Sequence, residues 1–323
     1  MKLLFIPQQG NEEPCFGDFV AALDGRFELA RLDHEGELVA QFDGVRVVVD
    51  HGGWATRPMI DAGAAAGVEL WQVIGTGLDH TEVDYILANG IRLANTPGQF
   101  SAIAVAEHAL WLVLCFAKNL RAMERNLRAG VLYRPINEEL AGATLGLVGL
   151  GASGRALARR ASALEMRVVA VDAVRPPEEV LAEAGVASFA APDGLPGLLR
   201  ESDYVSLHVP LTRDTRYLIG RESLAAMKPS AVLVNVARGG LVDEEALVEA
   251  LREGRLRGAG IDTLTHEPID PADPLLALDN VIATPHVAGV TWGTSQRRCE
   301  AAVENLVRVS QGLPPLYELH GLA

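Results

Sequence analysis

A β-strand, a glycine-rich turn and an α-helix follow one another in the pattern of residues 144–164. The apolar run 144–148 leads into Gly149, Gly151 and Gly154, which have the G-x-G-x-x-G spacing, and helically spaced apolar positions follow. The first glycine permits a tight turn, the second lets a phosphate group approach the backbone, and the third lets the helix pack closely on the strand. We therefore predict a dinucleotide-binding unit, in which the helix N-terminus attracts the pyrophosphate.

An acidic residue stands at the end of the next predicted strand. This strand covers residues 167–171, and Asp172 follows it, eighteen residues after Gly154. A carboxylate in this place accepts hydrogen bonds from a ribose diol and repels a 2′-phosphate, so the pattern favours NAD over NADP. Arg175 lies close by in the sequence and keeps NADP open as the alternative cofactor. A plain strand–turn–helix with structural glycines is the other interpretation, but strand, helix and acid together favour a cofactor site.

Short β-branched runs alternate with helical patterns along the whole chain, which is typical of βαβ units on a parallel sheet. We predict strands over residues 3–6, 27–32, 45–50, 68–74, 91–94, 144–148, 167–171, 186–189, 204–208, 231–236, 258–261 and 280–283. A long helix is predicted over 101–128 and an amphipathic helix from about residue 294. Between them a helix over 241–252 has Asp243 as its N-cap and Gly254 as its stop. A chain of 323 residues should hold about two domains.

Composition and charge exclude several classes of protein. Apolar residues make up 49% of the chain and charged residues 22%, which is ordinary for a globular protein with a large core. A net charge of −14 without any block of lysine or arginine argues against a nucleic-acid partner. Cys15, Cys115 and Cys299 have neither disulfide-framework nor metal-ligand spacing, so we expect a cytoplasmic protein without a metal site.

The most apolar stretch, residues 102–120, is close to membrane-spanning length. Glu107, His108 and Lys118 interrupt it, so we interpret it as a buried helix between domains or at a subunit interface and predict no membrane association. Residues 1–6 are apolar as well, but they lack the long apolar region and the cleavage site of a signal peptide. They are better interpreted as a first β-strand.

Three polar residues each lie shortly beyond a predicted strand: Arg238, Glu267 and His286. Because the carboxyl ends of strands in an open parallel sheet line one crevice, their side chains can converge. Together they suit the reduction of a 2-keto acid, since an imidazole can transfer a proton and a carboxylate can hold its ring. The guanidinium can bind either the substrate carboxylate or its keto oxygen. Each residue alone would be interpreted as structural or solvated. Among the other histidines, His51 could face a substrate, while His80, His108 and His266 are interpreted as structural or solvated.

Seven blocks of sequence resemble the D-isomer-specific 2-hydroxyacid dehydrogenases, over nearly the whole chain. They are Asn95-Thr96-Pro97-Gly98, Val105-Ala106-Glu107-His108, Leu147-Val148-Gly149-Leu150-Gly151, His208-Val209-Pro210-Leu211-Thr212, Asn235-Val236-Ala237-Arg238-Gly239-Gly240, Asp262 with Glu267-Pro268, and Thr284-Pro285-His286. The resemblance implies an α/β fold of two doubly wound parallel-sheet domains with a cleft between them. A flavodoxin-like substrate domain would comprise residues 1–99 and 290–323, and a Rossmann-like NAD-binding domain residues 100–289. It also implies a homodimer formed through the NAD-binding domain and the long helix.

The same resemblance implies roles for individual residues. The backbone of Ala152 and Ser153 should meet the pyrophosphate, Asp172 the adenine ribose, and Asp262 the nicotinamide carboxamide. Further residues should line the cofactor site: His208, Val236, Ala237 and Gly289. The substrate carboxylate is expected at the turn Gly75-Thr76-Gly77, where exposed backbone N–H groups can bind an anion. Two places depart from the common pattern, since Ser153 replaces a frequent isoleucine and residues 132–134 replace a segment where tryptophan is common.

We therefore expect an NAD-dependent D-2-hydroxyacid dehydrogenase that works as a 2-keto acid reductase. The loop over residues 50–58 offers only Arg57 as a cation, and Trp54 with two glycines fits a small uncharged or apolar side group. Glyoxylate, hydroxypyruvate or a similar 2-keto acid is thus favoured, with D-3-phosphoglycerate dehydrogenase activity as the alternative. An NAD-sensing corepressor-like protein is an alternative of another class, and formate oxidation is favoured less.

Overall fold

The structure is a computed structural model, and it describes residues 1–8 and 15–321. The chain divides into two compact units. The first combines both chain ends, Met1–Phe100 and Thr291–Ala323, and the second is the central part, Ser101–Val290.

Within the described residues the strands are, in chain order, β1 (Lys2–Ile6), β2 (Glu28–Arg31), β3 (Val45–His51), β4 (Leu70–Ile74), β5 (Arg92–Ala94), β6 (Thr144–Val148), β7 (Arg167–Val171), β8 (Val186–Ala190), β9 (Tyr204–Leu207), β10 (Val232–Asn235), β11 (Gly258–Ile261), β12 (Val281–Ala283) and β13 (Glu318–Leu319).

The α-helices of the same ranges are α1 (Cys15–Leu23), α2 (Leu38–Gln41), α3 (Arg57–Ala66), α4 (Val83–Ala88), α5 (Ala102–Ala117), α6 (Leu120–Arg128), α7 (Ala152–Ala163), α8 (Glu178–Glu183), α9 (Leu195–Glu201), α10 (Arg221–Ala226), α11 (Glu244–Arg252) and α12 (Trp292–Ser310). Short 3₁₀ turns cover Gly98–Phe100, Pro192–Gly194 and Gly239–Leu241.

The sheet of the first unit has the order β13-β5-β4-β3-β1-β2. Strands β1 to β5 pair in parallel. Counted from the edge at β2, they have the 2-1-3-4-5 order of flavodoxin-like folds. Val47, Val48 and Val49 are all fully buried, as expected for a central strand that is covered on both faces. The added strand β13 runs antiparallel to β5 and closes that edge.

The sheet of the second unit has the order β12-β11-β10-β9-β6-β7-β8, and all of its strands are parallel. Counted from β6, this is the 3-2-1-4-5-6 order of dinucleotide-binding folds with a seventh strand added. The order reverses between β6 and β9, which is the point where such sheets bind their ligand. The predicted α/β class with two doubly wound sheets is confirmed.

The predicted single helix over 101–128 is wrong, because the chain forms two helices there. α5 and α6 meet at a bend of 51°. Asn119, between them, has φ +49°, a left-handed conformation that interrupts the helical hydrogen bonding. In residues 1–8 and 15–321 no single helix is long and apolar enough to cross a membrane, and the α5–α6 pair meets that test only when its two helices are counted together.

Several helix ends follow from signals within a few residues. The Asp243 carboxylate accepts a hydrogen bond from the Ala246 N–H at 3.1 Å and caps α11, as predicted. Gly254 has φ +67° directly after that helix, also as predicted. The last helix begins at Trp292, slightly earlier than expected, where the Thr291 hydroxyl caps it by accepting from Thr294 N.

Candidate active site

The glycine turn after β6 requires glycine at two positions. Gly149 has φ +97°, and a methyl group there would lie 2.7 Å from the His208 carbonyl. A methyl group on Gly154 would lie 2.2 Å from the Gly149 carbonyl oxygen. Gly151 faces open space and is the N-cap of α7, and no described side chain caps that helix. The N–H groups of Ala152 and Ser153 at the start of α7 therefore suit a pyrophosphate, as a bound NAD requires.

Asp172 ties the glycine turn to the end of β7. Its carboxylate accepts from Leu150 N at 2.6 Å and from Val174 N at 3.1 Å. Arg175, by contrast, is paired with Glu178 at 2.5 Å and lies over the Phe189 ring. The Asp172 carboxylate is thus placed at the glycine turn. Arg175, which had kept NADP as an alternative cofactor, is engaged with Glu178 and Phe189.

His208 is locked between two hydroxyl groups. Its Nδ1 lies 3.1 Å from Ser153 Oγ and its Nε2 lies 3.0 Å from Ser206 Oγ. Burial lowers the pKa of His208 to about 4, so the ring is neutral at physiological pH. Ser153, which departs from the common pattern of the family, thus holds the glycine turn against the end of β9.

The turn after β10 is shaped by Asn235, whose role the sequence analysis did not identify. The buried amide accepts from Ala237 N at 3.1 Å and donates to the Arg238 carbonyl oxygen at 2.9 Å. These bonds hold the backbone of the turn from Val236 to Arg238. A polar amide that ends an apolar strand was the signal in the sequence. Arg238 itself has extended backbone, and its Nη1 donates to the Ala237 carbonyl oxygen at 2.7 Å.

His286 and Glu267 form a direct pair. His286 Nδ1 lies 2.7 Å from Glu267 Oε2, and the other carboxylate oxygen accepts from Leu264 N at 2.8 Å. Because Nδ1 is engaged, Nε2 is the ring nitrogen that can exchange a proton with a bound molecule. The His286 side chain is 46% exposed, so this edge is open to a ligand.

The three predicted catalytic side chains act on one another. Burial opposes ionisation of Glu267, but hydrogen bonds from His286 and Leu264, with the charges of His286 and Arg238, hold its pKa below the usual value. Arg238 is therefore near enough to act electrostatically on the carboxylate that holds the histidine. The structure brings together a cation, an ionised carboxylate and an imidazole in the second unit.

The backbone of His286 is fixed by the end of β11. His286 has φ +54°, and its N–H is shared between the carbonyl oxygens of Asp262 at 2.9 Å and Thr284 at 3.0 Å. The Asp262 carboxylate accepts from Thr284 Oγ1 at 2.6 Å, from Val287 N at 2.9 Å and from Ala288 N at 2.8 Å. The loop that carries the imidazole is thus held on both sides of this residue.

Asp262 has no exposed surface. A direct bond to a nicotinamide carboxamide would require a local rearrangement, so that role stays a prediction. Its observed role is to hold the loop around His286. The Thr284 hydroxyl donates its proton to Asp262, so it can only accept from His108. His108 Nε2, on α5, therefore donates to Thr284 Oγ1 at 3.0 Å. His108 is therefore structural, as predicted. Gly289, three residues past His286, packs against Ser101 and Val105 of the same unit.

The predicted substrate turn lies in the first unit, directly after β4. The Gly75 N–H donates to Thr96 Oγ1 at 2.9 Å and is therefore not available to an anion. The N–H groups of Thr76 and Gly77 have no acceptor among the described residues. Arg57 is paired with Glu82 through two bonds of 3.1 Å and is exposed.

Other predicted features have simple outcomes. His80 stacks on Trp54 with ring centroids 3.9 Å apart and bonds to the Gly52 carbonyl oxygen, while His266 is exposed. In the part of the chain that the structure describes, no group of three histidine, cysteine or acidic side chains could hold a metal ion.

The chain is similar to a known protein family and to several known proteins. Residues 110–288 match the family model described as the D-isomer specific 2-hydroxyacid dehydrogenase, NAD binding domain. A glyoxylate reductase of Korarchaeum cryptofilum is 40% identical over 78% of this chain and 76% of its own. A hydroxypyruvate reductase of Thermotoga maritima is 40% identical over 75% of this chain and 77% of its own.

Two further similarities extend over more of the chain. A D-3-phosphoglycerate dehydrogenase of Methanocaldococcus jannaschii is 37% identical over 93% of this chain, but over only 57% of its own length. The crystal structure of the TT0316 protein from Thermus thermophilus is 35% identical, with a TM-score of 0.83, over 99% of this chain and all of that one. The match of its NAD-binding domain and its similarity to these relatives show that the chain belongs to the D-isomer-specific 2-hydroxyacid dehydrogenase family.

Proposed function

We propose that the protein interconverts a 2-keto acid and a D-2-hydroxy acid with NAD, and that it works mainly as a reductase. The observation that carries this proposal is the pair of His286 and Glu267, whose geometry leaves Nε2 of the imidazole available while the charge of Arg238 acts on Glu267. An imidazole held in this way can act as an acid in one direction and as a base in the other.

The roles of the three residues follow from their contacts. NADH held at the glycine turn and the start of α7 would supply the hydride for the keto carbon. His286 donates a proton from Nε2 to the oxygen that becomes the hydroxyl group, and Glu267 stabilises the imidazolium before this transfer. Arg238 supplies positive charge that offsets the negative charge developing on the reacting oxygen.

The substrate class is narrowed by the relatives and by the first unit. Two relatives that this chain matches over 76% and 77% of their own length are named glyoxylate reductase and hydroxypyruvate reductase. These names support a small 2-keto acid as the substrate. Phosphohydroxypyruvate is the alternative, although the relative named for that activity is considerably longer than this chain. Arg57, the cation of the loop beside Trp54, is turned to Glu82, so that loop offers little to a phosphate.

The direct test is NADH oxidation by the purified protein on glyoxylate, hydroxypyruvate, pyruvate, phenylpyruvate and phosphohydroxypyruvate. We expect turnover on one of the first two, with D-stereochemistry of the hydroxy acid formed. An L-product or the absence of turnover on all five would contradict the proposal. NADH binding without turnover would point to a sensing role instead.

We also propose how the units divide the work and how the protein is assembled. The central unit would bind NAD and the unit of the chain ends would bind the substrate, in a cytoplasmic homodimer. Trp111 and Ile103 of α5 are 42% and 47% exposed, which supports an apolar contact between two copies through this helix. Sedimentation equilibrium would test this, because a monomer at micromolar concentration contradicts it.

Replacing Asp172 by serine should weaken NADH binding by about 10- to 100-fold, the effect of losing a hydrogen bond to a charged group. The preference for NADH over NADPH should fall as well, because the repulsion of the 2′-phosphate is removed. Fluorescence titration of both cofactors measures these changes. Arg175→Met is the matched control, since this arginine is paired with Glu178, and it should leave NADH binding unchanged. An unchanged preference in Asp172→Ser would remove the carboxylate from the ribose site.

A further inference from the structure

The first unit places a cation on the predicted substrate turn that the sequence did not reveal. Arg298 lies in α12, and its Nη2 donates to Thr76 Oγ1 at 2.8 Å across 222 residues of sequence. The Thr76 hydroxyl donates its own proton to the Thr96 carbonyl oxygen at 3.2 Å, so it accepts from the guanidinium. Arg298 is therefore held at the turn by a defined bond.

The turn and the arginine together form a cluster of donors. Thr76 is exposed, and the N–H groups of Thr76 and Gly77 have no acceptor among residues 1–8 and 15–321. A guanidinium presents its N–H groups in a planar fork that matches a carboxylate. Two backbone donors and a guanidinium beside them are the set that a carboxylate group requires.

His51 lies near this cluster but adds no charge to it. Burial, and secondarily the positive charge of Arg298, lower the pKa of His51 to about 4, so the ring is neutral at physiological pH. Its Nδ1 is buried without a hydrogen-bond partner among the described residues. His51 therefore contributes no positive charge beside Arg298.

We infer that Arg298 binds the carboxylate of the 2-keto acid, together with the N–H groups of Thr76 and Gly77. This inference rests on the proposed function.

Substrate analogues without the carboxylate test this contact of Arg298. The test compares a 2-keto acid with the corresponding 2-keto amide, in the wild-type protein and in the variants Arg298→Met and Arg238→Met. For Arg298→Met we expect KM for the acid to rise about 10- to 100-fold, the effect of losing a charged hydrogen bond, with kcat little changed. Reduction of the amide should be unaffected, so that the preference for acid over amide falls by the same factor. Arg238→Met should lower kcat for both compounds.

Two controls keep the result interpretable. Arg308→Met removes a charge from the far end of the same helix, where the side chain bonds the Pro314 carbonyl oxygen at 2.8 Å, and it should leave KM unchanged. Arg298→Lys keeps the charge without the planar fork and should give an intermediate KM. Thermal unfolding of each variant shows whether the first unit remains folded.

Several outcomes would overturn the inference. An unchanged KM for the acid in Arg298→Met removes Arg298 from the substrate, and an equal loss on acid and amide shows that it only supports the turn. A loss confined to 2-keto acids with a second carboxylate or a phosphate assigns it to that second group. If the wild-type protein reduces none of the compounds, the proposed function fails instead. Calorimetric binding of oxamate, a non-reducible analogue, to the wild-type and Arg298→Met proteins then still tests the carboxylate contact.

Discussion

Replacement of His286 by alanine is expected to lower kcat for 2-keto acid reduction by about 10²- to 10⁴-fold, the usual contribution of a positioned acid–base group. The structure gives the reason, because Glu267 occupies Nδ1 at 2.7 Å and so leaves Nε2 as the proton donor. Two other imidazoles of the second unit are engaged elsewhere and cannot replace it. The His208 ring is neutral and held between two hydroxyl groups, and His108 donates to Thr284.

Steady-state kinetics with saturating NADH measures the loss, and fluorescence titration should show that NADH binding is retained. His266→Ala is the matched control, since this exposed histidine is next to Glu267 in sequence. It should keep at least most of the activity. Turnover close to that of the wild-type protein in His286→Ala would exclude the imidazole as the proton donor and would leave the Glu267 pair without a catalytic purpose.

The regular part of this architecture was predictable because it depends on local signals. β6, β7 and β11 begin and end at the predicted residues, and a glycine or an aspartate directly follows each of these short apolar runs. The same logic predicted that Arg238, Glu267 and His286 each follow a strand of one parallel sheet, and they follow β10, β11 and β12. Asp243 and Gly254 set the ends of α11 through capping chemistry that operates within a few residues.

What the sequence did not reveal depends on contacts between distant residues or on the backbone of a single residue. The break at Asn119 lies in the left-handed backbone of one residue, with φ +49°, and side-chain periodicity does not report the backbone of a single residue. β13 has two residues, too few for a strand pattern, and it exists because it pairs with β5. No sequence pattern connects Arg298 with the predicted substrate turn, because only the fold brings α12 to Thr76. The hydrogen bond from the Gly75 N–H to the Thr96 hydroxyl also joins residues that only the fold brings together.

Gly239 connects two parts of the candidate site that lie far apart in sequence. It directly follows Arg238, and a methyl group on it would lie 2.0 Å from the Leu264 carbonyl carbon and 2.3 Å from Thr265 N. These are backbone atoms, which cannot move aside as the end of a side chain can. Leu264 N–H also donates to Glu267 Oε1 at 2.8 Å. Displacement of this segment would therefore move the carboxylate that holds His286.

We expect Gly239→Ala to lower the free energy of unfolding by about 1–3 kcal/mol or more, as overpacking of a buried site does. It should also lower kcat by about 10²-fold, since a displacement of about 1 Å at a catalytic group has an effect of this size. Urea unfolding and steady-state kinetics measure the two changes. Gly240→Ala is the matched control, because its methyl group would meet only the Leu211 side chain, at 3.0 Å, and this side chain can adjust. If both variants behaved alike, contact between Gly239 and the Leu264 backbone could not be what positions Glu267 beside His286.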